Sequence, residues 1–336
     1  MKFAFTADQT ELRDGVRDLL KGACPPTAVR ATWESGGALP AALSGALAES
    51  GIAAVAVPEA FDGLGLSLLD LAPLIEEAGF AAVPGLLLET AAVAAPVLAR
   101  AGGAPAERWL PGIASGEVSV ALGLAGTPLV AGADQAQVLL LERDGALYAV
   151  TPDTVGLRPE QSVDHTRRLF QVTWTPSADD RLGGEELTGL ALDCAATASA
   201  AFLNGLSRWM LELSVDYVKV REQFGRPVGS FQAVKHHLAD ALMHLEFARP
   251  AVWRSAWTLS SSEGSAADRS LQASMAKARA SDAADLVGKK ALQVHGAIGY
   301  TTECDLHHWL KRSWALRRAF GGAAWHRARI AEHLSI

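Results

Sequence analysis

Cysteine is scarce: Cys24, Cys194 and Cys304 are the only three in 336 residues, and they lie far apart. That spacing suggests neither a paired disulfide framework nor a CxxC metal or redox site, so each is expected to be a small buried or half-buried apolar residue. A basic block is lacking too. Lys and Arg total 30 against 37 Asp and Glu, for a formal charge of −7, which excludes a nucleic-acid footprint. No apolar run is expected to reach the ~20 residues that a bilayer span requires. The start, MKFAFTADQTELRDGV, has no basic region leading into an apolar run. A cytoplasmic chain without a membrane partner is the expectation. No internal repeat or low-complexity tract stands out, and SSSEGSAADRS at 260–270 reads as a solvated inter-helix loop.

What is present is apolar and periodic. With 49% hydrophobic residues and 20% charged ones, the chain can bury one large core or two to three smaller ones. Thr6 caps a run with Leu12, Val16, Leu19 and Leu20 on one face, and Thr10 offers a later register. Pro58, Gly63 and Gly65 mark a loop before a helix over about 67–78, and LLLETAAVAAPVLARAG ends a further helix at Gly102. Residues 1–117 therefore read as all-helical. VSVALGLA, QVLLLER, ALYAVTP and LFQVTWTP then alternate with Gly, Asp and Pro, so residues 118–183 read as a small β domain. Helical spacing returns from Glu185, with Leu206, Met210, Leu213, Tyr217 and Val220 and later Leu238, Leu242 and Leu245. Three or four long helices make residues 184–336 a C-terminal bundle. The fold class is mainly α with a small β domain in the middle.

The segment REQFGRPVGSFQ interrupts that bundle. Arg221 would stand at a helix end, where a planar, permanently charged guanidinium suits a pyrophosphate. Phe224 could cover a heterocycle, and Gln232 opens the next helix. From composition alone a plain helical hairpin with a surface arginine outweighs this reading.

The order of segments adds a resemblance. REQFGRPVGSFQ within a helical, small β, helical chain is similar to the acyl-CoA dehydrogenase family. FTADQTELRDGVRDLL resembles its N-terminal helix, AVPEAFDGLGLSLLDLAPLIEEAG its loop and helix, and ERWLPGIASGE its approach to the sheet. VDHTRRLFQVTWTPSADDRLG resembles the exit from the sheet, and LQVHGAIGYTTECDLHHWLKR the C-terminal turn near the cofactor. The resemblance spans nearly the whole chain. It implies an N-terminal helical domain, a middle β domain and a C-terminal four-helix bundle, with FAD as cofactor and an acyl-CoA as substrate. In such enzymes a carboxylate removes the α-proton while the β-hydrogen leaves as hydride to the flavin. Each FAD lies across a dimer interface, and the positions that grip its far end correspond to Arg221, Phe224 and Gln232, with Gln293 and Gly296 as companions.

The other half of the site departs from the family. The usual base position falls on Phe320 and the alternative one on Ala195, so no catalytic residue is assigned to this chain. Asp193 matches a position that touches the coenzyme A portion, yet Ala196 stands where an arginine is expected near it. The sheet region lacks the TEP-type loop, the Gly-Ser-Asp turn and the Trp-containing strand that cover the flavin ring. Glu303 reads as a cap or salt-bridge residue before a base. His307, His308 and His326 lack ligand spacing, so no metal is expected, and at most one of His236 and His237 faces a cofactor. Arg167 and Arg168 read first as domain-interface contacts and second as a CoA phosphate site. Three functions follow from the resemblance: an active homo-oligomer, a non-enzymatic scaffold, or one subunit of a hetero-oligomer whose paralogous partner carries the base and the ring pocket. The third explains both what is kept and what is lost. It resembles the heterotetrameric dehydrogenases of actinobacteria that oxidise CoA esters of steroid side chains. An electron-acceptor flavoprotein is the expected redox partner.

Overall fold

The computed structural model describes residues 4–127, 129–261 and 264–335. Ser262 and Glu263, in the middle of the predicted 260–270 loop, lie outside the described residues. The first third is helical: α1 (Ala7–Ala23), α2 (Pro26–Glu34), α3 (Ala41–Glu49), α4 (Leu68–Phe80), α5 (Ala95–Ala101) and α6 (Gly103–Ala114). Thr6 is the N-cap of α1: its hydroxyl accepts from the Gln9 N–H, and the Gln9 side chain accepts from the Thr6 N–H in return. Thr10 starts no later register, since it sits inside α1 and its hydroxyl donates to the Thr6 carbonyl. Ser67 and Asp70 cap α4 in the same reciprocal way. A π-type segment, Leu88–Ala94, runs into α5.

Seven strands follow: β1 (Val120–Gly123), β2 (Val130–Ala131), β3 (Val138–Arg143), β4 (Ala146–Val150), β5 (Gly156–Glu160), β6 (Leu169–Thr173) and β7 (Arg181–Gly183). They form one sheet in the order β1-β3-β4-β7 and a second in the order β2-β6-β5. The four strand runs read from the sequence correspond to β1, β3, β4 and β6. The missed ones are two or three residues long (β2, β7) or exposed along most of their length (β5), so they carry no apolar alternation.

The bundle consists of α7 (Glu185–Val220), α8 (Gln232–Ser260), α9 (Ala266–His295), α10 (Leu306–Arg318) and α11 (Ala323–Leu334), with a short hairpin, β8 (Glu222–Gln223) and β9 (Arg226–Pro227), between α7 and α8. The 260–270 loop is shorter than expected, because Ser265 caps α9 and Ala266 already begins it. One expectation needs correction: α7 is long and apolar enough to cross a bilayer by length and composition. Its Ala, Ser and Gly residues hid this from a search for long runs of large apolar side chains. In the fold 83% of its apolar window is buried, which marks it as the core helix of the bundle. Gly79 and Gly205 let α4 and α7 cross closely, since a Cβ on Gly205 would lie 1.9 Å from the Glu76 carbonyl oxygen.

Buried carboxylates fasten α4 to its neighbours. Glu77 accepts from Arg17 of α1 at 2.7 Å and from Arg208 of α7 at 2.5 Å, while Glu76 accepts from Arg249 of α8 at 2.7 Å. Burial alone would raise the Glu77 carboxyl, but the hydrogen bonds from Arg17 and Arg208 outweigh it and hold the group below its ordinary value. A folded-state pKa depressed in this way contributes stability above the unfolded value and loses it as pH falls through the folded one. Glu77→Gln should therefore destabilise the protein by about 3 kcal/mol near neutral pH, since it removes the buried carboxylate that two guanidinium groups share. Urea unfolding should show the gap between the variant and the wild type closing below about pH 4. A gap that does not change with pH would contradict an ionised Glu77.

Candidate functional site

The helical bundle breaks at Val220 for local reasons. Arg221 takes an extended backbone at the C-cap of α7, its N–H still donating to the Tyr217 carbonyl at 2.9 Å. Phe224 and Gly225 both adopt positive φ, 54° and 78°. Two such residues in succession give the tight turn whose twist suits a two-residue hairpin. The chain then returns against α7, where the Val228 N–H donates to the Arg221 carbonyl at 2.7 Å. Phe231 anchors the return: the Arg226 guanidinium lies 4.1 Å from its ring centroid and the Phe224 ring meets it edge-on at 6.1 Å. Gln232 is the first residue of α8. The Tyr217 ring stacks on His295 at 4.6 Å, which sets the end of α7 beside the end of α9. Gln293 lies in the last turn of α9 and Gly296 closes that helix with φ of 62°.

The structure thus gathers Arg221, Phe224, Gln232, Gln293 and Gly296 at one end of the bundle, and all five are exposed. Phe224 is 92% exposed even with Phe231 at its edge. The Arg221 guanidinium has no ion-pair partner among the described residues. A permanent cation, an exposed ring and an exposed amide thus lie together at one outward end of the bundle.

The positions expected to hold a base are interior and apolar. Ala195 is fully buried in α7. Phe320 is 4% exposed, has φ of 55° and sits in the turn between α10 and α11. Two buried polar residues hold that turn. His326 shares a hydrogen bond of 3.0 Å with the Phe320 carbonyl, and the Lys277 ammonium donates to the Leu316 carbonyl at 2.6 Å. Burial lowers the His326 imidazole to about 4, with Lys277 adding to the effect, so it is neutral around pH 7.

Asp193 is also buried, and burial raises its carboxyl above the ordinary range. Its oxygens accept from Arg329 at 2.8 Å and Ser270 at 2.7 Å. Arg329, on α11, supplies the cation missing at Ala196; 136 residues separate it from Asp193, and no local pattern marks it. Asp193 lines a cleft of about 1020 Å³ between the loop before α4, α5, the β7–α7 corner and the start of α9. Glu89, in the π-type segment, was also missed: burial raises its carboxyl, and Arg167 approaches to 4.0 Å.

The remaining candidates have other occupations. Arg167 faces Glu89, and Arg168 pairs with Asp134 at 2.7 Å and reaches the Gly36 carbonyl. His307 and His308 pack edge-on against Trp33 of α2, whose other neighbour is the stacked His165. His326 lies at the Phe320 turn instead, so the three histidines do not converge. Among the described residues no group of three His, Cys, Asp or Glu side chains is placed to hold a metal ion. His237 lies 3.0 Å from the Lys290 ammonium while His236 is exposed. Glu303 is exposed, and its own N–H donates to the Thr301 hydroxyl.

Comparison with other proteins gives two family matches: the acyl-CoA dehydrogenase N-terminal domain over residues 6–117 and the acyl-CoA dehydrogenase C-terminal domain over residues 184–335. Acyl-CoA dehydrogenase IpdE2 of Mycolicibacterium smegmatis is 36% identical over 303 residues, covering 90% of this chain and 91% of the relative. A chain of the ChsE4-ChsE5 complex from Mycobacterium tuberculosis superposes with a TM-score of 0.90 at 24% identity, over 100% of this chain and 99% of that one. A chain of the Tcur3481-Tcur3483 steroid ACAD superposes with a TM-score of 0.86 at 25% identity, over 98% of each chain.

Lys277 sets part of the response of stability to pH. Burial lowers its ammonium from 10.5 to about 7. Between those values the unfolded chain binds a proton here that the folded chain does not, so this residue makes stability rise with pH across that window. Below about pH 7 the full penalty applies. Lys277→Met should raise the urea midpoint at pH 7 and shrink the gain in stability between pH 7 and pH 9. A variant that keeps the wild-type gain would show that Lys277 is protonated throughout.

Proposed function

The chain belongs to the acyl-CoA dehydrogenase family, and on that premise we propose that it is the clamp subunit of a hetero-oligomeric, FAD-dependent acyl-CoA dehydrogenase. The observation that carries this reading is a contrast within one molecule: the Arg221–Gln232 connection faces outward and unpaired, while the base position is a buried Phe320. The far end of FAD fits the first. Arg221 would pair with the pyrophosphate, Phe224 would cover the adenosine end, and Gln232 with Gln293 would donate to ribose or phosphate oxygens. Gly296 leaves room beside them, since a Cβ there would meet no atom within 4 Å.

The isoalloxazine end does not fit this chain's own interior. When bound, FAD supplies acceptance of the hydride that leaves the β-carbon of the thioester. Neither expected base position can take the matching α-proton: Phe320 and Ala195 carry no titratable group, and both oxygens of nearby Asp193 are engaged by Arg329 and Ser270. The chain's part is to bind, orient and exclude water at the nucleotide end, and a paralogous subunit supplies the carboxylate and the ring pocket. The three-part division at 117 and 183 is retained in this proposal, as are a cytoplasmic setting and an electron-acceptor flavoprotein. The steroid ACAD relative supports a bulky CoA ester, such as that of a steroid side chain, and the ChsE4-ChsE5 complex supports assembly with a second chain, which we extend to a heterotetramer.

Co-expression with the paralogue, followed by purification, tests the clamp. Arg221→Ala should retain at least tenfold less flavin than wild type, as expected for loss of a charge-assisted contact of about 1.5–3 kcal/mol. Phe320→Glu should give this chain no activity alone, because the ring pocket is still absent. Full flavin retention by Arg221→Ala, or turnover by Phe320→Glu without a partner, would contradict the proposal.

A further inference from the structure

A cluster of heterocycles joins α2 to α10. Trp33, in the last turn of α2, is stacked on His165 at 4.4 Å, and His308 and His307 of α10 meet it edge-on at 4.9 and 5.9 Å. The Lys311 ammonium lies 4.7 Å from the same ring. Beside the rings, Arg30 of α2 donates to the Asp305 carboxylate at 2.6 Å, and Asp305 is the N-cap of α10. Glu34, at the end of α2, faces Arg30. The chain after Trp33 ties the joint to the sheets, since the Gly36 and Gly37 carbonyls accept from Arg168 and Gln135. N-terminal helices, sheets and bundle thus meet at one place.

His308 is the member of this joint that cannot take a charge in place. It is 4% exposed, and its Nδ1 has no hydrogen-bond partner among the described residues. Its Nε2 lies 4.0 Å from Asp305, beyond hydrogen-bond range. A neutral imidazole tolerates that setting. An imidazolium carries an N–H on both nitrogens and would bury a charge beside Lys311, Arg30 and the His307 ring, whose centroid is 3.9 Å away. Two routes to satisfying it are closed: Lys311 already serves the indole as its cation, and drawing Asp305 toward Nε2 would take it from Arg30. Burial first, then His307, Arg30 and Lys311, push the His308 imidazole down to about 4 against the pull of Asp305.

We propose that the Trp33–His308 joint is an acid-operated clasp, closed while His308 is neutral and opened by its protonation, which releases α2 from α10 and from the sheets. Between pH 6.5 and about 4 the open joint binds a proton that the closed one refuses. Opening is therefore favoured as pH falls, and the joint is at full strength above that window. One such imidazole raises the open fraction about twentyfold between pH 7 and pH 5.

Hydrogen exchange of the full-length chain tests the clasp, resolved by mass spectrometry of peptides and corrected for the intrinsic effect of pH on exchange. Opening of α2 should rise about twentyfold from pH 7 to pH 5, while α4 and α9 keep their protection. His308→Phe keeps an aromatic edge against Trp33 and removes the titration, so its α2 should open equally at both pH values. Lys311→Met leaves His308 in place and removes a facing cation, so the rise should be smaller. A flat wild-type profile would overturn the clasp, and so would a rise that persists in His308→Phe or is unchanged in Lys311→Met. An equal rise in α4 and α9 would overturn it as well, since acid would then be acting on the whole fold.

Discussion

One buried guanidinium joins the parts of this molecule. Arg312, on α10, is 5% exposed and donates to the Asp164 carboxylate, to the Thr166 hydroxyl and, at 2.9 Å, to the Val83 carbonyl. Those partners belong to the segment before β6 and to the turn after α4. The same turn receives the Trp309 indole N–H at the Phe80 carbonyl and the Cys24 thiol at the Ala81 carbonyl. Carbonyls orphaned at the end of a helix are thus satisfied from two other regions of the chain. Three donors converging on one helix end fix where α10 lies relative to α4 and the sheets. Everything after α10, including the Phe320 turn, takes its position from that.

The functional reading follows from where this frame places polar groups. In the interior, buried carboxylates meet guanidinium groups: Glu77 with Arg17 and Arg208, Asp193 with Arg329, Asp164 with Arg312, while the buried Lys277 meets a carbonyl. The exposed hairpin shows the opposite, an Arg221 guanidinium with no ion-pair partner among the described residues and a Phe224 ring that is 92% exposed although it meets the edge of Phe231.

Much of this was legible in the sequence, because it rests on periodicity and punctuation. Thr6 and Ser67 announced their helices, Val138–Arg143 read as a strand, and FGRP marked the break. The order of segments indicated the family. What escaped notice depends on distant contacts or on short elements. The strands β2 and β7 are too short to show alternation. Arg329 pairs with Asp193 across 136 residues, and Glu89 reads as an ordinary helical residue until its burial is seen. The length of α7 was hidden because small residues, not large apolar ones, make it apolar. Of the leucines whose spacing marked α8, Leu245 is buried and Leu238 half-buried, whereas Leu242 is exposed.

The central claim is that this polypeptide holds one end of a flavin whose ring belongs to another chain. The most direct measurement is the flavin stoichiometry, by absorbance near 450 nm against protein concentration, of this chain purified alone and of its complex with the paralogue. The account predicts a colourless chain alone and one FAD for each pair of chains in the complex. One FAD per copy in a preparation of this chain alone would contradict it.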